Sequence, residues 1–436
     1  MNCIVKISGL VLLAVSTLRA QTPASRPFVD PELDKLIEAG LSFNPDVKNA
    51  LSRVEEARIR IRVAESYLHP TVRGNPGIQT QSLSPNRPVQ FVNVRAQRVQ
   101  LTTFQIPVDA SFELDLFRRL RQGVRLSEIQ TQITEADVQI TRLAVASEIA
   151  RLYALVRAND AEQTVFDRTL TARDSVLAVV RERFRIGLTS EIDVRRAETE
   201  IGNLKTQQSA LQRSRHELEN GLAILTGQSP ESFTLARSVL PMYPTPVYAT
   251  ITPELLKNRP DIQQTDLQIS AADVNADIAS KALKPRVIAA GSGGLISGRV
   301  GDVFLPSSYT YTVGATASFP IYEGRRNREN INLARQQVQT ARTVIDQRLV
   351  NAQREAEVAL DNIRDLETQI ANQQNVIETA GKTELLVRDV YKKGLTTYLD
   401  VLDAQRTSLE AERQLAQLQG QRLIYAVALW KALGGQ

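Results

Sequence analysis

A turn that occurs twice constrains this chain more than any other feature. Tyr391-Lys392-Lys393-Gly394-Leu395-Thr396-Thr397 leads into Tyr398-Leu399-Asp400-Val401-Leu402-Asp403-Ala404-Gln405, and Phe184-Arg185-Ile186-Gly187-Leu188-Thr189-Ser190 leads into Asp193. Gly187 and Gly394 are 207 residues apart, as are Gly227 and Gly434. In each copy the glycine suits the left-handed residue that ends a helix, and the Thr or Ser after it suits the start of the next. The chain reads as a tandem repeat of αα-hairpins.

Proline placement sets the lengths of those hairpins. No proline falls between Pro107 and Pro230 or after Pro320, although the chain holds 18. A helix from about residue 120 to 185 would extend about 100 Å at 1.5 Å per residue. Ile129, Ile133, Ala136, Ile140, Leu143, Ser147, Ala150 and Ala154 alternate spacings of four and three, and so do Ile345, Leu349, Ala352, Ala356, Ala359, Ile363, Leu366 and Ile370. Heptad spacing predicts long antiparallel helices packed as coiled coils.

Two stretches follow a different period. Phe104, Ile106, Val108, Ala110, Phe112 and Leu114 alternate with polar residues, as do Tyr309, Tyr311, Val313, Ala315, Ala317 and Phe319. Period two predicts strands with one apolar and one polar face, each preceded by a weaker partner from about Pro70 and Pro285. From pattern alone they form either edge hairpins on the helices or the wall of a membrane barrel. No apolar run approaches the roughly 18 residues of a spanning helix. Four strands cannot close a membrane barrel, which needs about eight, so strands in a membrane would require several chains.

The expected organisation is a signal peptide at 1–20, a first repeat at 21–230, a linker at 231–252 and a second repeat at 253–436. Each repeat holds a helix, a β-hairpin (about 70–117 and 285–322) and a long helical hairpin (about 120–226 and 325–433). Lys6, the apolar run from Ile7 to Val15 and Leu18-Arg19-Ala20 carry the signal-peptide pattern. Cys3, the single cysteine, would leave with it, so no disulfide and no lipid anchor are expected.

A formal charge of +5 with acids and bases interleaved through the helices reads as solvated faces and excludes a nucleic-acid binder. His69 and His216 are isolated, and Gly291-Ser292-Gly293-Gly294 lacks the lysine of a phosphate loop, so neither an enzyme, a metal nor a cofactor is expected. Asp400 and Asp403 share one helix face at i and i+3. Ser190 with Asp193 and Thr397 with Asp400 both fit a capping box, leaving their role open between helix start and gate. Asp403 lies a turn too deep to cap. Arg181, Arg183, Arg185, Lys392 and Lys393 suit helix C-termini or a docking surface.

The Gly-Leu-Thr tips, Tyr398 to Gln405, Glu113-Leu114-Asp115-Leu116-Phe117 and Leu255-Leu256-Lys257-Asn258-Arg259-Pro260-Asp261-Ile262 resemble the TolC family of outer-membrane efflux channels, in its NodT/OprM branch. The resemblance implies a homotrimer with one twelve-stranded β-barrel in outer-membrane lipid and a helical tunnel in the periplasm. It also implies a periplasmic adaptor and an inner-membrane RND-type transporter as partners. Asp400 and Asp403 match the family's constriction, and Tyr391 and Asp193 the bonds that hold it shut. Gly187, Leu188, Thr189, Gly394, Leu395 and Thr396 match the adaptor-docking tips. The chain departs in carrying Thr396 where TolC has an arginine, and in lacking the mature N-terminal cysteine of many members. The alternatives are a type I protein-secretion outlet of the same family and a periplasmic coiled-coil scaffold.

Overall fold

The computed structural model describes residues 30–85, 99–238, 240 and 251–435. The expected signal peptide and half of the linker lie outside them. Asn44 caps the start of α2 (Pro45–Ser66) by accepting from the Asp46 amide, as Asp30 caps α1 (Pro31–Phe43). Strands β1 (Thr71–Gly74), β2 (Gly77–Leu83) and β3 (Val99–Leu114) precede the helices α3 (Arg119–Arg185) and α4 (Glu191–Thr226). Then come α5 (Pro253–Leu256), α6 (Pro260–Lys281), β4 (Arg286–Ser297), β5 (Tyr309–Ser318), α7 (Arg326–Lys392) and α8 (Tyr398–Ala432). At 67 residues each, α3 and α7 extend about 100 Å.

All strand pairing is antiparallel, and β1 and β2 share one register against β3, with Gly74 opposite Val108 and Gly77 opposite Gln105. The break between them is Asn75-Pro76. Proline has no amide proton for the ladder, while the Asn75 amide still donates to the Pro107 carbonyl at 3.1 Å. The sheet is therefore four strands wide, in the order β1/β2, β3, β4, β5.

Register decides which side chains share a face. Ile106 stands opposite Leu295 and Val108 opposite Gly293, while Leu295 and Gly293 stand opposite Tyr309 and Tyr311. Directly opposed residues project to the same side. One face thus carries Val72, Ile78, Ile106, Val108, Tyr311 and Val313, all exposed in the single chain. The other carries Thr71, Asp109, Ser111, Glu113, Ser292 and Thr312. Polar side chains on that second face bond one another, as Asn75 does to Asp109 at 2.6 Å and Arg286 to Glu113 at 2.9 Å. Gly294 is required where β4 passes Pro107, its partner in the register: a Cβ there would sit 2.3 Å from the Ile106 carbonyl oxygen.

Among the helices, the simple heptad seam is corrected. Ile129, Ser147, Ala150 and Ala154 are buried as expected, but so are Val138, Val145, Ile149, Tyr153 and Val156 on other faces of α3. The reason is that α3 packs against α1, α2, α4, α6 and α8 rather than against one partner. Halfway along, Arg157 and Arg215 are buried and share Asp160. Arg157 reaches Glu32, Asp160 and the Ala236 carbonyl, while Arg215 reaches Asp160 at 2.8 Å, Glu219 and the Leu235 carbonyl at 2.7 Å. Two arginines in this way pin residues 235–236 and the first helix onto the middle of the bundle. Among the described residues no helix is long and apolar enough to cross a membrane.

Candidate functional site at the hairpin tips

Both tips end in the way the glycines dictate. Gly187 and Gly394 have φ of +79° and +77°, a region costly for any residue with a Cβ. The Leu188 amide donates to the Arg183 carbonyl at 2.8 Å and the Leu395 amide to the Val390 carbonyl at 3.1 Å, each closing a Schellman end. Leu188 and Leu395 then project outward, 64% and 76% exposed.

The two helix starts differ. At α8 the capping box is complete: the Asp400 amide donates to Thr397 Oγ1 and the Thr397 amide to Asp400 Oδ2 at 3.0 Å. Hydroxyls of Thr396 and Thr397 also donate to Asp400 Oδ2, each at 2.6 Å, and together these donors hold its carboxyl below the usual carboxylate range. At α4 the Ser190 side chain does not cap the helix. Asp193 instead accepts from Thr189 Oγ1 at 2.6 Å and lies 3.8 Å from Arg196. Asp400 is committed to its cap, as a capping reading requires. Asp403 is exposed and makes no ion pair. It lines, with Asp400, Thr379, Thr383, Val387 and Thr407, a groove of about 650 Å³ between α7 and α8.

Tyr391 is buried in a cluster with Leu177, Val180, Val194, Tyr398 and Val401. Its ring lies 6.0 Å from that of Tyr398. Burial raises the pKa of both hydroxyls, pushing that of Tyr398 up to about 12, so both stay protonated across physiological pH. Tyr391 does not bond Asp193. Its hydroxyl lies buried without a well-formed hydrogen bond, and Thr189 gives its proton to Asp193.

Two ties between the hairpins escape a reading of the sequence. Arg183, near the end of α3, donates to the Tyr391 carbonyl at 2.8 Å and to that of Lys392 at 3.4 Å, with its guanidinium carbon 4.7 Å over the Tyr391 ring. It therefore serves the C-terminus of α7, not that of its own helix. The one available signal is an asymmetry, since the repeat places Val390 at the position equivalent to Arg183. Three turns deeper, Glu200 of α4 accepts from buried Arg173 of α3 at 2.8 Å and from Arg406 of α8. Burial opposes its charge, but Arg406 and Arg173 outweigh burial and keep its pKa below the ordinary value. Nothing in the spacing distinguishes these three charges from solvated ones. Arg181, Arg185 and Lys393 are paired locally, with Glu198, Glu182 and Asp389.

A family model described as outer membrane efflux protein matches residues 36–228 and 251–435. The solvent efflux pump outer membrane protein SrpC of Pseudomonas putida is 28% identical over 426 residues, covering 96% of this chain and 88% of its own length. The cation efflux system protein CusC of Escherichia coli K12 is 25% identical over 414 residues, covering 94% and 87%. A solved structure of CusC superposes with a TM-score of 0.84 at 23% identity, over 96% of both chains.

Proposed function

The chain belongs to the outer membrane efflux protein family, and from that premise we propose that it is the outer-membrane exit duct of a tripartite efflux system. Three copies would each contribute four strands to one barrel in the outer membrane, with the paired helical hairpins forming a tunnel in the periplasm. The two repeats, 21–230 and 253–436, would supply equal shares, after removal of a signal peptide at 1–20. A periplasmic adaptor and an inner-membrane RND-type transporter would complete the pump, the adaptor docking on the tips at Gly187, Leu188, Thr189, Gly394, Leu395 and Thr396.

The observation that carries this reading is the sheet. Its register collects apolar side chains on one exposed face and hydrogen-bonded polar ones on the other. A periplasmic scaffold has no use for an exposed apolar sheet face, whereas lipid outside and water inside use both. The strand count also leaves both sheet edges unpaired in one chain, and lipid tolerates no open edge, so closure with further copies follows.

The mouth at the tips would be the gate. Asp403 and Asp400 face one groove, and threefold symmetry would bring six carboxylates around the axis, favouring cations. Opening requires α7 and α8 to swing away from α3 and α4, against Arg183 and the Glu200 pairs. Solvent and cation efflux by SrpC and CusC indicate small compounds as cargo.

Sucrose-gradient fractionation combined with chemical crosslinking tests the placement. The expected outcome is a trimer in the outer-membrane fraction. Recovery as a soluble periplasmic protein would favour the scaffold.

A further inference from the structure

Where the apolar sheet face meets the helices, the chain carries two collars side by side. Leu116, Phe117, Leu283, Phe319, Ile321 and Tyr322 form an exposed apolar one, with Ile321 and Tyr322 90% and 87% exposed. Beside them stand the exposed cations Arg118, Arg121, Arg125, Lys284, Arg325 and Arg328, and none of these makes an ion pair. Three acids of this region are already engaged, and Glu329 accepts from Asn332. Glu113 holds Arg119 and Arg286, Glu323 holds Arg326, and Asp115 accepts from the amides of Leu120 and Arg121. Lys284 lies 6.0 Å from the centre of the Phe117 ring, so the two collars touch.

At the far end of β4 and β5, the connection over residues 298–308 carries only Arg299 and Asp302 as charges. Along the helices, Arg58, Arg151 and Arg195 pair with acids three or four residues away. Two of the collar cations, Arg118 and Arg325, even adopt the left-handed conformation at φ of 57° and 68°. A non-glycine residue pays conformational energy there.

We infer that this band is a docking surface for the headgroups of anionic phospholipids in the membrane leaflet that faces the helices. The inference rests on the proposed placement of the sheet in a membrane. Apolar and aromatic side chains belong at the depth where acyl chains give way to headgroups. Cations immediately beyond them meet the phosphates, and each basic residue near a charged lipid surface strengthens association about fivefold. Both collars end the same apolar face, so the lipids that cover that face present their phosphates to Arg118, Arg121, Arg325 and Arg328. Anionic lipids are favoured over zwitterionic ones because cations outnumber acids in the band, and of those acids Glu113 and Glu323 are held in ion pairs.

The test uses the full chain reconstituted in phosphatidylcholine vesicles, with trace spin-labelled phosphatidylglycerol or spin-labelled phosphatidylcholine. Electron paramagnetic resonance then reports the motionally restricted lipid at the protein surface. The expected result is a severalfold greater association of phosphatidylglycerol than of phosphatidylcholine, reduced by high salt and lost in the Arg118→Gln/Arg121→Gln/Arg325→Gln/Arg328→Gln variant. The same four positions changed to lysine keep the preference, which separates loss of charge from loss of fold. Equal restriction of both probes by the wild-type chain overturns the lipid preference and leaves membrane placement intact. Absence of any restricted component overturns both.

Discussion

Replacing Arg183 by alanine should loosen the tips without unfolding them. The side chain contributes one well-formed charged hydrogen bond, to the Tyr391 carbonyl at 2.8 Å, a longer one to Lys392, and a stack at 4.7 Å over a buried ring. A hydrogen bond to a charged group is worth about 1.5 kcal/mol at the lower end, fitting a half-exposed donor, and the stack about 0.5 kcal/mol more. The total of about 2 kcal/mol is about a thirtyfold shift in the equilibrium between joined and splayed hairpins. A splayed state populated at about one part in a hundred would rise to about a quarter. Spin labels at Leu188→Cys and Leu395→Cys, both exposed and on opposite hairpins, report this as a second, longer distance in a double electron–electron resonance experiment. Arg183→Lys, which keeps the charge but loses the planar stack, should fall between. An unchanged distance distribution in Arg183→Ala, with helicity intact, would refute the assignment of Arg183 as the tie between hairpins.

Further outcomes follow from the same geometry. Gly394→Ala forces a Cβ into φ of +77° and should cost about 1 kcal/mol, read as faster amide exchange at the tip with no change at mid-bundle. Gly294→Ala places a methyl group against the backbone at 2.3 Å, so the β3–β4 pairing should fail and the chain should not insert into lipid vesicles. Glu200→Gln leaves Arg173 buried with its charge uncompensated, and the melting of the lower bundle should weaken by about 3 kcal/mol. Because its two arginines keep the Glu200 pKa below that of the unfolded chain, its contribution is present above about pH 4.3 and is lost as pH falls through the lower folded value. Tip stability in the wild type should therefore be flat from neutral down to about pH 5 and drop only in stronger acid, and Glu200→Gln should make that drop smaller, the remainder coming from groups such as Asp400.

Elements dictated by local chemistry were legible in the sequence. Gly187 and Gly394 announce the turns because almost no other residue accepts that backbone conformation, and Thr397 with Asp400 announces the start of α8. Alternation between Phe104 and Leu114 sufficed to place apolar and polar residues on opposite faces of β3. What stayed hidden is what depends on a third element. Heptads reveal that α3 has a packed side but not that five helices surround it, so Ile149 and Tyr153 look like exposed positions until the bundle assembles. Arg183 and Glu200 were indistinguishable from solvated charges, because the partners that tie the two hairpins lie about 200 residues away on α7 and α8. At the tips Thr189 donates to Asp193, while the Tyr391 hydroxyl is left without a well-formed hydrogen bond.

The most direct test of the account is single-channel conductance of the full chain in a planar bilayer, comparing wild type with Asp400→Ala/Asp403→Ala. The account predicts small, cation-selective openings that multivalent cations block, and larger, less selective openings in the double variant. A protein shown to be folded and inserted that conducts nothing in either form would contradict the duct itself. Identical openings in both forms would contradict the acidic gate.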